Sequence, residues 1–383
     1  MRHDWSFALK QRTNPGAASP LDIELMFDYA VGMDAPRGRG TGLNPTNRFD
    51  ELAYESEESA DPAERPAPKT KFFRDNSRSI LVKNDSPDIP FNWSLNPYRG
   101  CEHGCVYCYA RPYHEYLGLS SGIDFESMIF VKEDAPELLK AELSKPSWEP
   151  ETVALGGVTD VYQPIERKLE ITRKCLQVFA DARHPCGLVT KNHLVTRDVD
   201  VLQELAKLNL ARIFISLTTL DADLARKMEP RASTPAKRLD AMRTLAKAGV
   251  HVGVMTAPLI LGLNDHELPK LLEAAKDAGA ASAGYVPLRL PHQLGPLFED
   301  WLQRHYPDRK EKVLNQIRAV RGGALNDPRF GARMRGTGIF AEHLAQLFQL
   351  TCRKLGLNRD RFANGMSGEH FRRPLAGGQL RLL

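Results

Sequence analysis

Three cysteines fall within eight residues in Cys101-Glu-His-Gly-Cys105-Val-Tyr-Cys108. A loop that short can turn three sulfurs toward one point. Thiolates are soft ligands and select zinc or iron–sulfur clusters over hard cations. On a four-iron cluster, three thiolates leave one iron without a protein ligand, open to a substrate or cofactor. A zinc ion needs a fourth ligand, which His103 or His114 offers. Structural zinc sites usually combine two separated pairs, however, and the sequence holds no second pair. Three cysteines that merely pack sit badly with a short polar loop. The spacing favours the iron–sulfur cluster.

Such a loop needs a scaffold, and the chain supplies one. Short β-rich runs recur at Phe91–Asn96, Thr152–Gly156, Gly187–Thr190, Arg212–Leu217, Val250–Thr256 and Ala281–Val286. Amphipathic helices alternate with them. Ile171, Cys175, Val178 and Phe179 share one face, as do Val199, Leu202, Leu205 and Ala206. Leu239, Met242 and Leu245 form a third apolar stripe, and Leu268, Leu271, Leu272 and Ala275 a fourth. Strand–helix alternation gives parallel strands joined by crossover helices. Six such units predict an α/β fold, a partial (β/α)6 TIM-like barrel rather than a closed eight-stranded one.

In barrels of this kind the chemistry gathers at the C-terminal ends of the strands. The cysteine loop follows the first strand. Thr159 and Asp160 follow the second, after two glycines that let backbone approach a ligand, and both side chains can accept hydrogen bonds from an ammonium. Lys191 follows the third strand, where it can hold a carboxylate as a point charge. Ser216 puts a hydroxyl into the fourth β run. Arg231, in Glu229-Pro-Arg231, offers a bidentate grip on a carboxylate. Pro258 to Asp265 follows the fifth strand. Arg289-Leu-Pro291 ends the sixth and is placed to face a substrate. Tyr98, Tyr107 and Tyr109 surround the cysteine loop.

Flanking this core, residues 1–75 form an irregular extension, rich in Pro, Gly, Asp and Glu and without sustained periodicity. That composition reads first as a flexible tail. Arg48-Phe49 and Lys71-Phe72-Phe73 could instead anchor an arm across the main domain. The core is expected over 76–295 and a mainly helical, basic region over 296–383. There, Ile339 to Leu355 reads as a helix with Leu344, Leu347, Phe348 and Cys352 inward. The net charge of +4 is uneven: residues 316–383 hold twelve Arg/Lys and four Asp/Glu, a net of +8, leaving −4 for the rest. Arg329, Arg333 and Arg335, with Phe330, form a strip suited to phosphates. No apolar run reaches membrane-spanning length, and the first residues lack a signal-peptide core. Six cysteines are too few for a secreted disulfide scaffold, so a reducing cytoplasmic location is expected. Cys175 and Cys352 fall on apolar helix faces and read as structural.

The Cys-x3-Cys-x2-Cys spacing, with Tyr107 before the third cysteine, resembles the signature of the radical S-adenosylmethionine (SAM) superfamily. The wider segment, Asn96-Pro-Tyr-Arg-Gly-Cys-Glu-His-Gly-Cys-Val-Tyr-Cys-Tyr-Ala-Arg-Pro112, is similar to the branch related to spore photoproduct lyase. The resemblance implies that Cys101, Cys105 and Cys108 hold a [4Fe–4S] cluster whose open iron chelates SAM. One electron, from a donor such as flavodoxin or ferredoxin, then cleaves SAM to a 5′-deoxyadenosyl radical that abstracts hydrogen. It also implies that Thr159 and Asp160 hold the amino group of SAM. Lys191, Ser216 and Arg231 become carboxylate or ribose contacts, the Tyr107 backbone lies near the adenine, and Tyr109 relays a hydrogen atom. The substrate is left open by the sequence: nucleic acid, DNA or RNA, is the leading class, and a protein or small metabolite is the alternative. At one position the chain departs from the lyase: Gly156-Gly-Val-Thr159 holds no hydrogen-donor cysteine, so photoproduct repair itself does not carry over. The competing reading is a non-catalytic nucleic-acid-binding protein with a structural zinc or redox-sensing cysteine cluster.

Overall fold

Six short strands lie side by side and parallel in the computed structural model, which describes residues 38–50, 69–359 and 365–374. The strands in chain order are β1 (Lys71–Arg74), β2 (Leu81–Lys83), β3 (Trp93–Leu95), β4 (Tyr98–Arg99) and β5 (Met128–Val131). Then come β6 (Val153–Leu155), β7 (Cys186–Thr190), β8 (Ala211–Ser216), β9 (His251–Leu259) and β10 (Ser282–Pro287). The larger sheet runs β10-β9-β8-β7-β6-β3-β2, with β2 antiparallel at the edge and every other pairing parallel. The six expected strands are these six parallel ones.

Register explains the core. Leu95, Leu155, Leu188, Ile213 and Val252 are successive partners across five strands, and all are buried. The connecting helices Ile171–Asp181, Val199–Lys207, Pro235–Lys247 and Leu268–Asp277 bury Phe179, Leu202, Leu205, Met242, Leu245, Leu271 and Leu272 in the same core. Local chemistry sets where they start. Thr234 caps the third helix, its hydroxyl accepting from Lys237 N, and Pro235 occupies the first turn. At the far edge Asn358 pairs with both the carbonyl and the amide of Ala283, which covers the open side of β10.

A second sheet, β1-β5-β4, had no counterpart in the expected strands. All four residues of β1 are exposed, so no alternation marks it in the sequence. β4 leads directly into Cys101. Of the N-terminal extension, residues 38–50 lie as an arm on this region, while 1–37 and 51–68 fall outside the described residues. Arg48 pairs with buried Glu115 at 2.9 Å, and the Phe49 ring meets Tyr116.

The C-terminal helices Leu294–His305, Lys310–Val320 and Ile339–Leu355 close the molecule. The first two pack Phe298, Trp301, Val313 and Ile317 against Val106 and Tyr107, so the cysteine loop is part of their core. In the last helix Leu344, Phe348 and Cys352 are buried as expected, but Leu347 is exposed, because the buried stripe is Ala341, Leu344, Phe348 and Cys352. Among the described residues no helix is long and apolar enough to cross a membrane.

Candidate active site

The cysteine loop is shaped by glycines and held by buried charges. Gly104 lies at φ +65°, and a Cβ there would sit 2.6 Å from Glu126 Oε2. The Glu126 carboxylate pairs with the Arg111 guanidinium, both fully buried, and Arg111 also donates to Cys105 O at 2.9 Å. The arm reaches the same carboxylate: Gly40 N donates to Glu126 Oε2 at 2.9 Å. A Cβ on Gly40 would fall 1.8 Å from Gly104 O, so only glycine lets the arm approach this closely.

Cys101 and Cys105 are buried, and Cys108 is half-buried between the same two apolar clusters. Burial, Asp160 and the two neighbouring sulfurs push the Cys101 thiol well up. Burial likewise pushes Cys105 up to about 12 against the pull of Lys191. The three sulfurs are thus electrostatic neighbours, and the Cys101 and Cys105 thiols resist deprotonation until a strongly positive partner joins them. Among the described residues no three His, Cys, Asp or Glu side chains converge on a single metal ion. A multi-iron cluster takes one thiolate per iron, and this loop supplies three. Of the two histidines considered as zinc ligands, His103 is engaged elsewhere, and His114 is enclosed by aromatic rings with its Nε2 unpartnered among the described residues. His103 contacts Asp160 at 3.3 Å and Asn192 at 3.2 Å. His114 packs on Phe125 and Phe130, and burial lowers its pKa to about 4.

Around the loop the strand ends converge. Asp160 accepts from Thr190 Oγ1 at 2.7 Å and from Lys191 N at 2.8 Å while facing His103, so it ties the loop to the end of β7. Burial works against its charge, yet His103 and these donors hold its pKa at about 2. Thr159 donates to Gly100 O at 2.7 Å, bracing the loop from beneath. Lys191 places its ammonium 5.8 Å from the Tyr107 ring centroid. Burial opposes that charge, but Cys105 and Glu229 more than restore it. Ser216 is buried and donates to Ala257 O at 3.3 Å. Arg231 binds Glu102 and Thr70, each at 3.2 Å, and so joins the cysteine loop to the segment before β1.

Two residues that the sequence reading passed over organise this floor. Glu229 is buried and accepts from the Tyr107 hydroxyl, from Thr218 at 2.7 Å and from the Arg238 guanidinium. Burial would raise its carboxyl, but Arg238 and Lys191 hold it at about 2. Arg238 also donates to the carbonyls of Ser233 and Ser216. The overlooked signal was an arginine at the buried position of the Met242–Leu245 stripe, where a charge demands a partner.

Tyr109 shows how the sheet curls. Its hydroxyl donates to Gly157 O, just past β6, at 2.7 Å, while Arg289, just past β10, lies 5.1 Å from its ring centroid. In a flat sheet those strands would stand roughly 19 Å apart, four strand spacings. One tyrosine spans the gap, so the six strands wrap into an open barrel with their C-terminal ends around the cysteine loop.

Residues 95–275 match the Radical SAM superfamily. This stretch is a radical SAM domain. The chain is 36% identical over 222 residues to an uncharacterized protein of Mycobacterium tuberculosis, covering 57% of this chain and 65% of that one. It is 27% identical over 242 residues to an uncharacterized protein of Methanocaldococcus jannaschii, covering 62% and 87%. Thus the chain spans less than two thirds of the mycobacterial relative it matches. In fold it is similar to spore photoproduct lyase complexed with dinucleoside spore photoproduct, at TM-score 0.55 and 17% identity, covering 75% of this chain and 80% of that one. A double mutant of that lyase with bound AdoMet and dinucleoside spore photoproduct superposes at TM-score 0.54, with the same identity and coverage. These likenesses establish a radical SAM fold of the lyase type.

Proposed function

We propose that this protein is a radical SAM enzyme. The observation that carries the reading is three mutually interacting thiols, two buried and one half-buried, at the C-terminal edge of a six-stranded parallel barrel, with the Lys191 ammonium beside them. Cys101, Cys105 and Cys108 would hold a [4Fe–4S] cluster. When bound, that cluster with SAM at its open iron supplies a 5′-deoxyadenosyl radical able to abstract hydrogen.

The chain's own residues have separable tasks. Lys191 holds the SAM carboxylate as a point charge beside Tyr107. Ser216, on the neighbouring strand, supplies a polar contact for the ribose or carboxylate. Asp160 and Thr159 keep the loop in register with β6 and β7, and their oxygens line the side where the SAM ammonium is held. Arg231 locks the outer turn of the loop through Glu102 and is the second candidate for the carboxylate. Tyr109, between the cysteines and the open side, is the hydrogen relay. The buried core of Val106, Tyr107 and the C-terminal helices keeps water away. A flavodoxin or ferredoxin would deliver the electron, and a reducing cytoplasm suits six free cysteines.

Nucleic acid is the substrate class we assign. It is supported by the dinucleoside ligand named for the similar lyase and by the +8 charge of residues 316–383. The strip expected at Arg329 and Arg333 is weaker support than its sequence implied, because Asp327 and Asp88 pair with those guanidiniums. The test is anaerobic turnover with reductant, SAM and candidate DNA or RNA. Deoxyadenosine formed above the substrate-free background supports the reading. Protein that binds zinc and yields no deoxyadenosine refutes it.

A further inference from the structure

The cations that flank the last strand have partners, and among the described residues one beside the open side of the barrel makes no ion pair. Arg329 is held by Asp327 at 2.7 Å. Arg333 makes a bidentate pair with Asp88, at 2.8 and 2.6 Å. Arg321 is buried and spends its donors on the carbonyls of Pro287, Leu288, Ala332 and Arg333. Those four bonds tie the end of β10 to the 327–335 loop, and so bring Arg289 next to Arg333. Among the described residues Arg289 makes no ion pair and no side-chain hydrogen bond, and Asp88 acts on it only at a distance. Its contact is the Tyr109 ring. It is half-buried, so water compensates it only partly. Arg289 thus lies within electrostatic reach of Arg333 and of the Asp88 carboxylate, which Arg333 already occupies, while Arg321 faces Asp327.

The place matters as much as the charge. Tyr109 lies within electrostatic reach of Cys108, Lys191 and Arg289. Lys191 stands on the cysteine side of that ring and Arg289 at the last strand. The proposal below rests on the radical SAM reading for its setting: a cofactor held by Lys191 leaves the Arg289 side for the substrate.

We propose that Arg289 is an oxyanion-binding residue for the substrate, and that the group it takes is a phosphate. A guanidinium presents a planar fork that matches two phosphate oxygens, and stacking on Tyr109 fixes its plane. The net positive charge left by Arg289 and Arg333 around Asp88 attracts an oxyanion, and a doubly charged phosphate more than a singly charged carboxylate. The reacting position of the substrate then lies near a phosphate it carries, one side chain away from Tyr109.

Titration of the full-length protein with inorganic phosphate and with acetate, at fixed ionic strength and followed by calorimetry, tests this without any cluster present. The wild type should bind phosphate saturably and acetate at least tenfold more weakly. R289Q should lose phosphate affinity at least tenfold, R289K should keep part of it, and R226Q, a surface control, should bind as the wild type. Equal phosphate binding by R289Q and wild type, no preference over acetate, or no binding by the wild type overturns the proposal. Displacement of phosphate by a single-stranded oligonucleotide supports it and joins it to the nucleic-acid reading. Phosphate binding that depends on Arg289 but yields to no oligonucleotide supports the subsite and ends that reading of the substrate. Failure to assemble a cluster would end the enzymatic reading while leaving the phosphate result standing.

Discussion

Replacing Glu229 by glutamine should cost the protein about 3 kcal/mol. The carboxyl sits at about 2 against an ordinary 4.5. Each tenfold in the proton equilibrium is worth about 1.4 kcal/mol, so the site favours the carboxylate by roughly 3 kcal/mol. Glutamine keeps an acceptor for Thr218 but leaves the buried Arg238 guanidinium with only carbonyl partners. Breaking a buried pair on one side costs about 3–5 kcal/mol, which agrees. The assay is urea denaturation of the full chain at pH 7.5, with thermal melting beside it. A loss of this size corresponds to a melting point roughly 6–12 °C lower. The sign with pH is fixed. A depressed carboxyl contributes its stability above its ordinary value and loses it as pH falls toward 2, so the gap between wild type and E229Q should close over that interval. Replacing both partners, E229M with R238M, should recover most of the loss, because it leaves no buried charge unpaired. If E229Q unfolds within about 0.5 kcal/mol of the wild type at pH 7.5, this reasoning about the floor of the site is wrong.

Lys191→Met removes the ammonium beside the cysteines and should weaken SAM binding about tenfold, read by equilibrium binding to the reconstituted protein. Asp160→Asn, with a carboxyl held at about 2 against 3.8, should cost roughly 2 kcal/mol in denaturation at neutral pH, with the difference shrinking as pH falls from 3.8 and closing near about 2. Gly40→Ala drives a methyl into Gly104 O and should lift the arm, so that trypsin cuts after Arg39 or Arg48 faster than in the wild type. Unchanged digestion would show that the arm is not held at Gly104.

The barrel was legible in the sequence because its strands are short β-rich runs between helices of clear 3.6-residue period. Each expected strand lies within one to three residues of an observed one. The cysteines were legible because three soft ligands in eight residues have few other uses. What stayed hidden depends on partners distant in sequence. β1 pairs with β5 through four exposed residues and carries no pattern of its own. Arg333 looked like a free phosphate contact, but Asp88, 245 residues earlier, pairs with it. Glu229 was read only as a neighbour of Arg231, because nothing local shows that Arg238 and Tyr107 converge on it. Leu347 fits a helical stripe in sequence, yet the neighbours of that helix cover only the adjacent one.

The most direct measurement is electron paramagnetic resonance of the anaerobically reconstituted, reduced protein with and without SAM. Three-cysteine ligation with an open iron predicts a reduced-cluster signal that shifts when SAM is added, and loss of that signal in Cys101→Ala, Cys105→Ala and Cys108→Ala alike. A signal indifferent to SAM, or one that survives loss of any of the three cysteines, would contradict the account.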